Sequence, residues 1–492
     1  LFDVKYKAKF AGNILAYYGD DMETIDNVKL TTCTKLGLDN FANELTLKSV
    51  NATKSVVIAE LDGVTNGYSI DESTLVDNIR LFKIENGVEN EVAIDSIKVS
   101  EMQTGTDSEG NEIVLAGGNT IVATPQGGIV PNSIYKLKLK SGITDTSSVK
   151  VALKEDVESP NFYVQVLYSS DFNVKITDGN PVSPYYVDAD GKYVYDENWT
   201  INTSRTSISV SGRKRSLLSE LTDGNDTALL TAGNDGYAIL NKDLGSDYTV
   251  EYNYKLPGST MYLSGRTYHK AGFRGGNFTE DSRTATAGFK VYGKESTSST
   301  KANIAFNSSG NDLYTHGSRI DFGSEAAVRV SAIGNNFEMY VNNNKLFDVE
   351  ADLDYKTGAF SFMDAGQTAD GYGDMPEIDD VVITRMVSLE DLSDDVVVNL
   401  ISCGDLSSDK IFNVYASAIN LAYASGDVSV IIAGYDSEQN LVDVDLENVS
   451  LPIGSTGDYS ASLDNSKLNI TLVKIFVWGP DIEPLGEFAS TN

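Results

Sequence analysis

The stretch AAVRVSAIGNNFEMYVNNNKLFDVE, Ala326 to Glu350, decides the fold. It reads as strand, Gly-Asn turn, strand, Asn-Asn turn, strand. Gly and Asn tolerate the positive φ that tight hairpins demand, so both turns can reverse the chain.

Working outward, DYTVEYNYKL (Asp247 to Leu256) and ATAGFKVYG (Ala285 to Gly293) read as further strands. Residues 160–388 are too long for one Ig domain and rich in strands throughout, which predicts a larger sandwich. The region resembles the concanavalin A-like and laminin-G-like jelly rolls of bacterial carbohydrate-active proteins. The shared features are the hairpin around Gly334-Asn335, the second turn, and a late Ile-Asp-Asp-Val strand, here within Glu377 to Val381. The resemblance implies a jelly roll with a carbohydrate-linked role.

An internal repeat follows from the same stretch. LFDV opens residues 346–383 and also residues 1–30. Both copies continue to a Gly (Gly12, Gly358), then an apolar-aromatic strand. Both end in Ile-Asp-Asn/Asp-Val, Ile25 to Val28 and Ile378 to Val381. Residues 1–32 therefore read as the closing strands of a second jelly roll whose body is missing. Two explanations stand. The chain is a fragment of a longer polypeptide, or these strands complete a domain in another molecule by strand addition, giving self-association into a layer or filament.

After a linker, residues 45–157 alternate apolar and polar residues in short runs such as SVVIAEL and SIYKLKLKSG. Period two with Gly and Asn punctuation predicts an Ig-like sandwich. Tyr68 to Phe82 and Asn119 to Asp145, the latter with its Pro-Asn-Ser-Ile-Tyr hairpin, resemble bacterial Ig-like domains of surface proteins. That resemblance implies a spacer module without catalytic residues. Residues 389–492 read as another β-module. Ala433 to Val444 and Val473 to Leu485 resemble a module at the ends of large surface proteins of Gram-positive bacteria. Trp478 falls in its last apolar run and reads as core.

The expected fold class is thus all-β, with tandem β-sandwiches: Ig-like modules flanking a larger concanavalin A-like jelly roll. The 492 residues suffice for about three or four domains. Formal charge is −33, from 71 acids and 38 bases. Nucleic acid is excluded as a partner, because phosphate neutralisation needs clustered Lys and Arg. No apolar run approaches the length of a membrane span. The opening LFDVKYK lacks a signal-peptide pattern, so the chain reads as a mature or excised segment. Cys33 and Cys403 lie in different expected modules and are read as unpaired; no Cys/His cluster has zinc spacing.

Laminarinase-type hydrolases place Glu-x-Asp-x-x-Glu on one strand, and alternation turns the carboxylates into one cleft. Here Glu377-Ile-Asp379-Asp380-Val-Val lacks the second Glu. The clearest route to glycosidic cleavage on this fold is missing, and no enzyme is expected. His269 lies in SGRTYHKAGFRGGN beside Arg266, Tyr268, Lys270 and Arg274. Such a set is able to abstract a proton next to a uronate, but neighbours on a strand point to opposite faces, which favours an ordinary loop beside a sandwich edge. A sugar-binding site needs less: an aromatic ring and a few planar polar groups. The candidates are Trp199, Tyr262, Tyr268 and Tyr314 as rings, with Arg266, His269, Arg274 and His316 as donors. Both histidines of the chain fall in this one domain.

For a structural Ca²⁺, Asp188 and Asp190 have loop-ligand spacing without the closing Glu of an EF-hand. Resemblance to related sandwich modules implies Asp171 with Asp379 or Asp380 instead. The function expected is an extracellular protein of the bacterial cell surface, structural or adhesive, whose large sandwich recognises plant or bacterial polysaccharide. A self-assembling subunit and an ancillary segment of a polysaccharide-degrading enzyme are the alternatives.

Overall fold

A computed structural model describes residues 44–170 except 86, then 244–256, 268–275, 287–292, 299–353 except 309, 357–365, 377–404 except 393, and 411–491 with short gaps. Between 176 and 240 it describes mainly short strands. The expected closing strands at 1–32 and Cys33 lie outside these residues.

The chain is all-β, as its sequence predicts: antiparallel strands assemble into stacked sheets. No helix among the described residues is long and apolar enough to cross a membrane. The deciding stretch forms three strands, Ala326–Ile333, Asn336–Val341 and Asn344–Glu350, paired in register. Its turns use the positive φ that their residues allow, 57° at Gly334, 50° at Asn342 and 64° at Asn343.

These strands begin a twelve-stranded sheet. It runs through Tyr248–Lys255, Glu377–Ser388 and Phe162–Ser170, then continues into Ile134–Leu139, Ile79–Glu85 and Val88–Val92. The opposing eleven-stranded sheet includes Tyr237–Leu240, Ala359–Ala365, Tyr268–Gly275, Ala287–Tyr292, Ile304–Ser308 and Asn311–His316. It ends on Gln103–Asp107 and Glu112–Ala116. Between the two sheets lies an aromatic core containing Phe273, Phe289, Phe306, Phe337, Phe360 and Phe362, each no more than 1 % exposed. Each fully buried Phe contributes about 1.5–3 kcal/mol of transfer free energy.

The first and large sandwiches share strands. The hairpin Gln103–Ala116 belongs by sequence to the first Ig-like segment, yet it pairs with Asn311–His316 and extends the sheet of the large sandwich. Its Leu115 is buried in the large core. Conversely, Phe162 and Val164 are buried in the core of the first sandwich, while Leu167 and Tyr168 on the same strand pack against the large core. The first sandwich is closed by a four-stranded sheet, Thr46–Ala52, Val57–Asp62, Thr120–Pro125 and Ile94–Val99.

The outer face of that four-stranded sheet is pinned to the large sandwich by buried charges. The Lys345 ammonium, fully buried, contacts Glu60, lies 2.6 Å from Glu338 Oε1 and 3.0 Å from Asp348 Oδ2. Lys48 reaches the other oxygen of Glu60 at 3.1 Å. Arg329 pairs with Glu251 at 3.2 Å, and the Thr53 hydroxyl donates to the same carboxylate at 2.8 Å. Val56, Ile58, Val122 and Tyr340 form an apolar pad beside these groups.

Residues 396–490 form a further sandwich. Val396–Cys403, Ile411–Asn420 and Thr456–Asp464 make one sheet; Leu441–Ser450, Asp427–Tyr435, Leu472–Trp478 and Ala489–Ser490 make the other. Its Ile419 packs against Ile134 and Tyr163 of the preceding sandwiches. Cys403 is a free thiol, pushed up to about 11 by burial.

Candidate functional site

On the strand Tyr268–Gly275, alternation sends His269, Ala271 and Phe273 inward. Tyr268 and Lys270 take the outer face. The next strands set Tyr292 opposite Tyr268 and Lys290 opposite Lys270. Gly288 and Gly272 pair between Lys270 and Asn307 in the sheet. A Cβ on Gly288 would come 2.1 Å from the Ala271 carbonyl oxygen, so only glycine lets the strands approach there.

The result is one connected polar cluster. Lys270 Nζ donates to Asn307 Oδ1 at 3.0 Å. The Asn307 amide donates to Asp312 Oδ1 at 2.9 Å, and Lys290 Nζ reaches the same oxygen at 2.9 Å. The Tyr292 hydroxyl donates to the other oxygen of Asp312. Lys290 Nζ also sits 4.3 Å from the centre of the Tyr268 ring, and the rings of Tyr268 and Tyr292 meet edge-on at 6.1 Å.

Lys270 is 1 % exposed and Asn307 is 0 % exposed, whereas the Asp312 side chain is 30 % exposed. The cluster is therefore rooted in the sheet and opens towards solvent at Asp312, with Tyr268 and Tyr292 half-buried. Its electrostatics follow from that position. Burial, together with the neighbouring Lys290 charge, lowers the Lys270 ammonium to about 7, and Asp312 offsets this only in part. Burial opposes the Asp312 charge, but hydrogen bonds from Tyr292 and Lys290 outweigh it and keep the carboxyl below its ordinary range. Burial and the bond to Asp312 push the Tyr292 hydroxyl well up, so it stays a donor.

Of the residues expected at a glycan site, Tyr268 belongs to this cluster. His269 does not. It is 1 % exposed, with ring centroids 5.2 Å from Tyr254 and 5.7 Å from Phe362, inside the core. His316 is also withdrawn: it is 6 % exposed, its Nε2 lies 3.0 Å from Gln103 Oε1 and its Nδ1 2.8 Å from the Ser318 carbonyl. It ties the Gln103–Ala116 hairpin to the large sandwich, and burial lowers its pKa. Tyr314 faces the core side, stacked on Phe306 at 6.2 Å. Trp199 and Arg274 lie on strands Trp199–Asn202 and Tyr268–Gly275, with side chains outside the description. Tyr262 and Arg266 lie outside the described residues.

The implied calcium ligands fare similarly. Asp171, Asp188 and Asp190 lie outside the described residues. Asp379 and Asp380 are adjacent on the late strand; Asp380 is exposed, takes φ of 50° at a bulge and accepts from Asn253 Nδ2 at 2.9 Å. Glu60, Glu338 and Asp348 are the one described group of three carboxylates at ligating separation. The Lys345 ammonium already stands among them, so charge balance there needs no metal.

No protein-family model matches the chain, and no curated protein matches it. Among solved structures, the carbohydrate-binding module CBM66 from Bacillus subtilis is 15 % identical, with 33 % of this chain and 88 % of that chain covered and a TM-score of 0.22. A glycoside hydrolase family 16 endo-glucanase from Bacteroides ovatus is 15 % identical, covering 45 % and 100 %, with a TM-score of 0.29. The Emp47p carbohydrate recognition domain is 13 % identical, covering 38 % and 88 %, with a TM-score of 0.26. Likeness at this level carries no activity or ligand over to the present chain.

Proposed function

We propose that the chain is a non-catalytic extracellular protein of a bacterial surface, and that its large sandwich binds a plant or bacterial polysaccharide on the outer face of the eleven-stranded sheet. The cluster of Tyr268, Lys270, Lys290, Tyr292, Asn307 and Asp312 carries this reading. Sugar sites combine an aromatic ring with a few oriented polar groups. Here the polar groups are held in place by one another, so little ordering remains to be done on binding. The missing second Glu of the paired-carboxylate motif supports binding without hydrolysis.

The test is retention of the full chain on an array of plant and bacterial polysaccharides. Retention that weakens about ten-fold in Tyr268→Ala and Tyr292→Phe, a difference of about 1.4 kcal/mol, is expected. No retention on any polymer, or retention unchanged in both variants, sinks the reading.

A further inference from the structure

The strand Leu472–Trp478 of the 396–490 sandwich is apolar on its inner face and, apart from Lys474, on its outer face as well. Val473, Ile475 and Val477 fill the core. Lys474, Phe476 and Trp478 are half-buried and point outward by alternation. Register places Leu446, Ile431 and Phe476 side by side across three strands, and Phe488 packs on Phe476 at 5.5 Å. Leu446 is 53 % exposed and Phe488 is 50 % exposed. Trp478 continues the row along the strand, 6.3 Å from Phe476. An apolar row from one sheet edge to the other is not core, and a surface of this kind marks a contact site.

Two features of the face select its occupant. Ser429 and Asn448 pair with each other at 2.6 Å, and Ser429 lies opposite Trp478 in the sheet. A planar amide and a hydroxyl beside an indole ring are the groups that bind a sugar's hydroxyls and C–H face together. Charge narrows the class. The one cation within the row is Lys474, whose ammonium lies over the rings of Tyr435 at 5.2 Å and Phe488 at 4.8 Å. The chain around it carries −33. That field repels an anionic polymer and a second copy of the chain alike, and leaves an uncharged partner unopposed.

We propose that this face is a platform for a neutral polysaccharide, whose sugar rings stack on Phe476, Trp478 and Phe488. It is a second binding surface, separate from the cluster on the large sandwich, and stands without it.

The experiment runs the full chain through gels containing laminarin, galactomannan or glucomannan, and sediments it with cellulose and chitin. Retention on at least one of these, weakened about ten-fold by Trp478→Ala and by Phe488→Ala but not by Tyr268→Ala, is expected. Phe488 is half exposed and is not among the core residues of this sandwich, so Phe488→Ala is expected to keep the parent's melting transition. No retention on any neutral polymer, or retention equal in the variants, overturns the proposal. So does a concentration-dependent dimer in light scattering that both variants abolish, which assigns the face to a second copy.

Discussion

Lys345 and Glu60, 285 positions apart in sequence, meet as a buried ion pair that fastens the first sandwich to the large one. Burial works against the Lys345 charge, but Tyr340, Glu338, Asp348 and Glu60 together hold the ammonium well above the usual lysine range. Replacing Lys345 by Met leaves three carboxylates at ligating separation with no cation between them. Removing one partner from a buried ionic group costs about 3–5 kcal/mol. Lys345→Met is therefore expected to lower the unfolding free energy by that amount, and the urea midpoint with it, with part of the loss recovered in Lys345→Met/Glu60→Gln/Glu338→Gln. Equal stability of Lys345→Met and the parent in urea titrations would falsify this account.

The same group predicts an acid limit. Burial raises the Glu60 pKa, but Lys345 and then Lys48 outweigh it and bring the carboxyl down to about 2. Its folded value lies below the ordinary carboxylate value, so its stabilising effect is complete above about 4.5 and is lost as pH falls towards 2. Glu338 moves the opposite way, raised chiefly by burial. Glu60 has two cations and Glu338 one, so Glu60 sets the acid behaviour of the joint. Stability measured between pH 5 and 2 should fall more steeply in the parent than in Glu60→Gln.

Much of the fold is legible in the sequence where local chemistry decides. Period two and Gly or Asn turns locate the three strands of Ala326–Glu350. The sharing of sheets is not legible, because the pairing of Gln103–Asp107 with Asn311–His316 depends on partners two hundred residues away. The site was half visible. The run Tyr268-His-Lys270 draws attention through its charge, but its histidine is the inward residue and its lysine the outward one. Lys290, Asn307 and Asp312 come from other strands and give no local signal. Trp478 reads as core because its run is mostly apolar. The clue against that reading is Lys474: a cation on a strand marks the outer face, and Phe476 and Trp478 share its parity.

Lys270 gives the large sandwich a distinctive dependence on alkaline pH. Its folded value is about 7, below the 10.5 of an unperturbed lysine, chiefly because of burial. Between those values the unfolded chain binds the extra proton, so stability rises with pH across that window. The parent should gain stability from pH 7 to 10 relative to Lys270→Met, which lacks the titrating group. Parallel pH curves for the two proteins in chemical denaturation would mean that Lys270 is charged and well solvated in the fold.

The continuity of the sheets makes a prediction about cooperativity. Leu115 is 1 % exposed and stands on a hairpin that the sequence assigns to the first sandwich, yet its side chain is in the core of the large one. His316 and Gln103 tie the same hairpin across, and Phe162 and Val164 return the contact from the other direction. Two sandwiches joined through both sheets and through the Lys345 cluster cannot open singly without exposing core on the partner. The region 44–388 is expected to unfold in one calorimetric transition. Leu115→Ala removes part of a packed side chain at a cost of about 2–5 kcal/mol, and this cost should shift that whole transition rather than split it. Separate melting of the first and large sandwiches, with Leu115→Ala moving only one of them, would show that the shared strands are a seam and not a bond.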